Sequence, residues 1–217
     1  MKQINTFWNW FQDNEETINN AILLGINTKE VLYHLNRNYS YISKRIGFLI
    51  VGPSKNQNKY TIIFTSDGYR KLFPKLIALE NQAPQLRFFI PQAFVKPIHD
   101  KTLYLTGNDE PYIFKNIKIK ISQLYMSLVD YNISSKQLKI KIYIPGYDRI
   151  KDCNEVEIGL KYLVMEVIGE IAFRKHIKNL EFLNLPQANI GFLSLIDLPE
   201  YIDYLYKINP RGKTLKI

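Results

Sequence analysis

The sequence is short of the residues that staple chains, span bilayers or carry common catalytic signatures. A single cysteine, Cys153, stands among 217 residues. That excludes an internal disulfide framework and leads us to expect a reducing, cytoplasmic compartment. No apolar run approaches the roughly 20 residues that cross a bilayer. The longest, YLVMEVIGEIAF, is interrupted by Glu166 and Glu170, so no membrane partner is expected. The opening MKQINTFWNWFQDNEE is broken by Asn, Gln and acids and does not read as a secretory signal. G-x-S-x-G, the Walker A loop, a strand-linked G-x-G-x-x-G and H-E-x-x-H are all missing. The three histidines, His34, His99 and His176, have no partner at helical ligand spacing, and His99-Asp100 and Asp109-Glu110 sit in a stretch without ligand periodicity. Neither a metal nor a cofactor is expected. Cys153 has no histidine near it in sequence and reads as an ordinary loop cysteine ahead of a helix.

Arginine is scarce as well: 7 of the 29 basic residues, the other 22 being lysine. This weakens the nucleic-acid reading that a net charge of +9 invites, because forked phosphate and base contacts favour Arg. The excess is also spread evenly, with 13 basic and 9 acidic residues up to position 110 and 16 and 11 after it. Lys, Asn, Ile and Tyr are abundant while Ala is rare, the mark of A/T-rich coding. Coding bias and a solvated surface account for the charge better than a nucleic-acid site does.

What remains is ordinary globular composition, 46% hydrophobic and 23% charged, in a chain read as one α+β domain over residues 1–217. Residues 1–44 read as two helices. Phe7, Trp8, Phe11, Ile18 and Ile22 give the first its face, with Asn5 or Thr6 as N-cap. Asn27 and Glu30 have the spacing of a capping box for the second. Strands are expected at 45–52 and 59–65, then a helix with Pro74 in its first turn running to Gln82, then a strand at 86–90. Residues 91–112, with Pro91, Pro97 and Pro111, read as a connection carrying one short strand at 102–105. From 117 the alternation IKIKI begins, and its apolar phase switches after Ser122, which requires a bulge or a break. A strand at 136–144, a long helix at 155–173, a strand at 179–185 and a helix from Leu198-Pro199 complete the chain. Residues 45–90 and 123–185 thus share one order. The expected architecture is two tandem ββαβ units, their strands merging into a mainly antiparallel sheet with helices packed on it, behind two N-terminal helices.

Four groups of residues could carry function. Trp8, Trp10, Phe11 and Asn14 crowd the first helix, so at least one aromatic must leave a narrow core stripe and could line a ligand or partner surface. Thr65, Ser66, Asp67 and Gly68 follow a strand and precede a helix, where ligands often bind in α/β architectures, although turn chemistry also explains them. Glu166 and Glu170, four apart on a helix and beside Tyr162, are either a solvated face or, if buried, a source of a raised pKa suited to a general acid. Lys118, Lys120, Lys139 and Lys141 could present four ammonium groups for an anion, or simply protect sheet edges.

The residues W-x-W-F-x-x-N-E (Trp8 to Glu15), I-I-F-T-S-D-G (Ile62 to Gly68), A-P-x-L (Ala83 to Leu86), P-x-A-F (Pro91 to Phe94) and the helix ending in Gly169-Glu170 resemble a family of uncharacterised bacterial proteins. That family carries W-F-x-x-N-E, I-T-x-D-G, A-P and A-F in the same order. Here Phe64 and Ser66 vary the second motif, and Phe88 or Phe89 stands where tryptophan is more usual. The resemblance implies a bacterial cytosolic protein and no particular reaction.

Taken together, the expectation is a non-catalytic binding or protein-interaction module, engaging a protein or small molecule through a concave surface formed by the aromatic first helix and the sheet. The alternative is a hydrolase-like enzyme using paired carboxylates drawn from Glu15, Asp67, Asp130, Glu166 and Glu170.

Overall fold

Ile4, Phe7, Trp8, Phe11, Ile18 and Ala21 recur at near-helical intervals, and they form the buried face of α1 (Lys2–Leu24). The computed structural model describes residues 2–53, 58–114, 117–152, 154–187 and 191–209; Cys153 lies outside them. Helix α1 begins at Lys2, so neither Asn5 nor Thr6 caps it. The Thr6 hydroxyl instead donates to the Lys2 carbonyl one turn back, at 3.0 Å. Helix α2 (Thr28–Ser40) also starts without the expected capping box. Asn27 adopts a left-handed conformation, φ 55°, and its side chain makes no capping bond. The chain reverses between the helices through Gly25 and Asn27, both at positive φ, which leaves the Asn27 side chain on the rim.

The chain divides into two compact units, Met1–Val95 and Lys96–Ile217, and the boundary falls between the two repeats. In the first unit β1 (Gly47–Val51), β2 (Tyr60–Thr65) and β3 (Phe89–Ala93) form a sheet in that order. The β1–β2 pair is antiparallel and the β2–β3 pair parallel. Helix α3 (Phe73–Asn81), with Pro74 in its first turn, makes the crossover. The core is aromatic: Phe7, Phe11, Phe64 and Phe89 are buried, and Phe11 meets Phe89 edge to face at 5.3 Å.

The second unit repeats this topology. Strands β6 (Tyr125–Asn132), β7 (Gln137–Ile144) and β8 (Ile177–Asn184) stand in the order β8-β7-β6, with β6–β7 antiparallel and β7–β8 parallel; the two-residue β9 (Leu193–Ser194) pairs with the start of β6. The match reaches the connection after the second strand of each repeat. Gly68 (φ 76°) and Gly146 (φ 75°) are both left-handed, each is followed by a tyrosine, and each leads into a 3-10 turn, Arg70–Leu72 and Tyr147–Arg149. Four antiparallel pairs against two parallel ones make the pairing mainly antiparallel among the described residues. The strands do not merge into one sheet: each repeat hydrogen-bonds within its own, and β4 (Tyr112–Phe114) pairs only with β5 (Ile117–Ile119).

Three local expectations change in the second unit. Residues 102–105 form a short helix, α4 (Thr102–Leu105), because the Asp100 carboxylate accepts from the Thr102 N–H at 2.9 Å and turns the chain. The phase switch after Ser122 is a break, a 3-10 turn at Ile121–Gln123 that leaves both Ile121 and Leu124 buried. The long helix is interrupted. Helix α5 (Asn154–Ile168) ends before Gly169, at φ 80°, and α6 (Glu170–His176) starts with a new phase. As a result Glu170 is fully buried and Ile171, expected inside, is exposed. A side chain at Gly169 would also sit 3.0 Å from Pro97. Helix α7 (Leu198–Ile208) closes the unit. Its core is aliphatic, with Leu138, Ile140, Ile142 and Ile144 of β7 facing Leu163, Val164 and Val167 of α5. Among the described residues no helix is long and apolar enough to cross a membrane.

Candidate functional site

In the first unit, α1 splits its aromatic residues by their helical angle. Trp8 and Phe11 point into the core, where the Trp8 indole N–H donates to the Leu79 carbonyl at 3.0 Å. Trp10, two residues on, is half-buried: its ring meets Phe7 and Phe11 at the edge of the core and also forms one wall of a groove of about 320 Å³ between α1 and α2. Ile18 and Val31 make its apolar floor; Asn14 and Thr17 extend the α1 wall, and Asn27, Glu30 and His34 come from α2. The Asn14 amide donates to the Trp10 carbonyl at 2.8 Å, which holds the side chain against the helix. His34 Nε2 lies 4.0 Å from Glu30 Oε1. Among the described residues, neither the Trp10 indole N–H nor the Asn27 side chain makes a hydrogen bond. The concave surface beside the first helix is therefore bounded by α2, since the sheet-facing side of α1 is filled by core.

Glu15, on the inner side of α1, is buried and accepts from the Phe88 N–H at 2.6 Å, tying the start of β3 to the helix. Asp67 sits at the tip of a tight turn with both central residues at positive φ, Asp67 at 51° and Gly68 at 76°, closed by the Tyr69 N–H donating to the Ser66 carbonyl at 3.0 Å. The Asp67 N–H donates to Thr65 Oγ1 at 3.1 Å, and Ser66 is buried.

In the second unit Glu166 is the most distinctive carboxyl. The Tyr162 hydroxyl donates to Oε1 at 2.9 Å and the Tyr112 hydroxyl donates to Oε2. Tyr162 lies one turn away on α5, whereas Tyr112 arrives from β4. Burial pushes the Glu166 carboxyl above the ordinary carboxylate range, against the two phenol hydrogen bonds that pull it down. The same burial, with the nearby carboxylate second, raises both phenols. Tyr104 of α4 stands close enough to feel the charge. Phe114 brings β4 onto α5: a Cβ at Gly159 would lie 2.3 Å from its ring. Glu170 does not continue this arrangement at helical spacing, because Gly169 breaks the helix between the two.

Asp130 is exposed on β6 and pairs with Lys139 at 3.6 Å, beside a register shift. Lys141 pairs with Glu181 at 3.7 Å, and Lys120 donates to the Gly107 carbonyl at 2.8 Å. Lys118 belongs to β5 and thus to a different sheet from Lys139 and Lys141, so the four lysines do not share one sheet face.

One buried cluster lies outside all four sequence-predicted groups. Lys136, buried in the β6–β7 connection, donates from Nζ to the Asn209 carbonyl beyond α7, between the rings of Tyr131 and Tyr206. Its own carbonyl lies 3.2 Å from His176 Nδ1. Burial holds His176 below the ordinary histidine range; Lys175 adds to this, while the Lys136 carbonyl and Asp203 oppose it. Sequence reasoning also missed Tyr104, Tyr112, Thr17, Glu30 and His34 as site residues. Fifteen tyrosines dilute any signal from two of them, and Glu30 was assigned to a cap it does not make.

Comparison with known proteins returned no matching family model, no similar curated protein and no similar solved structure.

Proposed function

We propose that this chain is a non-catalytic binding module that recognises a protein partner through the groove between α1 and α2. The observation that carries the reading is the position of Trp10, half-buried at the edge of the aromatic core, where it lines the groove beside Asn14, Ile18 and Val31. Large aromatic side chains at the edge of a concave surface are common anchors for partner segments. Exposed Leu23, Leu24, Ile26 and Tyr33 around the α1–α2 corner extend the apolar area available for contact. The matching strand order and the two Gly-Tyr turns support an internal duplication. The motif resemblance and the lone cysteine support a bacterial, cytoplasmic protein.

The test is site-specific photo-crosslinking in the native cell from position 17, with position 178 in the second unit as control. The expected result is a discrete adduct at position 17 that disappears in the Trp10→Ala variant. Adducts indifferent to Trp10 would remove the groove reading.

A second reading has one observation in its favour: Glu166 is a half-buried, phenol-bonded carboxyl whose pKa is raised, the direction a general acid requires. It predicts turnover of some hydrolysable substrate that Glu166→Gln abolishes while the fold is retained. Equal turnover by both proteins would end it.

A further inference from the structure

We propose that the α1–α2 groove selects a cationic side chain, and specifically an arginine flanked by an aliphatic residue on an extended or helical segment of the partner protein. The inference rests on the groove being the binding surface and adds what that surface takes. Its polar groups are asymmetric in sign. The one carboxylate among the lining residues is Glu30, Asn14 lines the same space, and no Lys or Arg lines it. The surroundings agree. The two helices that form the groove, residues 2–40, carry four acidic and three basic side chains in a chain of net charge +9. Asp13 and Glu16 are exposed on α1. An anionic ligand would meet repulsion here; a cation would meet Glu30 and the face of Trp10.

Arginine fits better than lysine for reasons of shape. A guanidinium is planar, stacks on an indole and presents a fork of donors to a carboxylate, whereas an ammonium is a compact and strongly hydrated charge. Trp10 offers the stacking face and Glu30 the acceptor. Ile18 and Val31 at the floor receive the aliphatic neighbour.

The experiment follows the two indole N–H signals of the full chain by NMR during titration with blocked tripeptides. The central residue is arginine, its neutral isostere citrulline, or glutamate, between leucines. Trp8 serves as internal control, because its indole is buried and bonded to Leu79. The proposal expects a saturable shift of the Trp10 signal with the arginine peptide, at least about fivefold weaker binding for citrulline, and a similar loss in Glu30→Gln. Equal affinity for arginine and citrulline peptides would overturn the cation selectivity yet leave the groove as a binding surface. No Trp10 shift with the arginine peptide, alongside a Trp10-dependent crosslink at position 17, would likewise sink the arginine proposal alone. Loss of both results would remove the groove as well. The Glu30→Gln variant carries an exposed substitution, so its fold is checked by the unchanged Trp8 signal.

Discussion

The two ββαβ units share one strand order and one Gly-Tyr turn but fill their cores with different chemistry. The first relies on Phe7, Trp8, Phe11, Phe64 and Phe89, the second on rows of Ile, Leu and Val. Their hydrogen-bonded carboxyls differ in the same spirit. Glu15 is held by a backbone N–H and fastens a strand, whereas Glu166 is held by two phenols and has a raised pKa. Topology in these units thus constrains pairing, and leaves packing and electrostatics free to diverge. The helix pair α1–α2 has no counterpart ahead of the second repeat, and it carries the groove.

The contrast can be broken most forcefully at the cores. Phe11→Ala is expected to cost about 3–5 kcal/mol. Hydrogen exchange should show the loss of protection concentrated in residues 1–95, with Leu163→Ala doing the reverse; equal loss throughout would show that the two units unfold as one. Next in size is the Glu166 cluster. Glu166→Ala leaves two largely buried phenol hydroxyls without their acceptor and should cost about 1–3 kcal/mol, more than Glu166→Gln, by denaturant titration.

The pH dependence of stability supplies a finer test. Glu166 has a folded pKa raised above its unfolded value near 4.5, so the folded state holds the proton more tightly and stability declines as pH rises from there through the raised value. His176 is lowered from its unfolded value near 6.5, so its contribution is present above that pH and is lost as pH falls below it. Between these limits the two groups oppose each other. Glu166→Gln should remove the first slope and His176→Gln the second; unchanged profiles would contradict the burial of both groups.

The smallest effects fall at the surface. Trp10→Ala should cost about 1 kcal/mol or less, against about 3–5 kcal/mol for Trp8→Ala, because only the latter empties a fully buried site. Melting curves of the two variants decide whether neighbouring tryptophans really divide into anchor and wall.

Much of the fold was readable because it is local. The alternation of KQLKIKIYI, Pro74 at a helix start and the phase switch after Ser122 each state their geometry within a few residues. Where reading failed, the cause lay in competing local bonds or distant partners. Asp100 drew Thr102 into a helix that strand propensity did not foresee. Gly169, apparently a tolerated glycine in a helix, reset the phase and exchanged Glu170 for Ile171. Half of the site was legible in outline: the crowding of Trp8, Trp10 and Phe11 implied that one must leave the core stripe. That it would be Trp10, and that α2 would supply the opposite wall, depended on how α1 meets its neighbours. Tyr112 and Glu166, 54 positions apart, have no sequence pattern that joins them.

Helix α1 presents one face to the aromatic core and another to the groove, and this couples occupancy to folding. A molecule that engages Trp10 binds only when α1 and α2 are assembled, so it draws the folding equilibrium toward the native state, by about 2.7 kcal/mol when its concentration is a hundredfold above Kd. The first unit therefore reports its own ligand. A rise in melting temperature, seen with intact Trp10 and absent without it, would single out a partner before its identity is known.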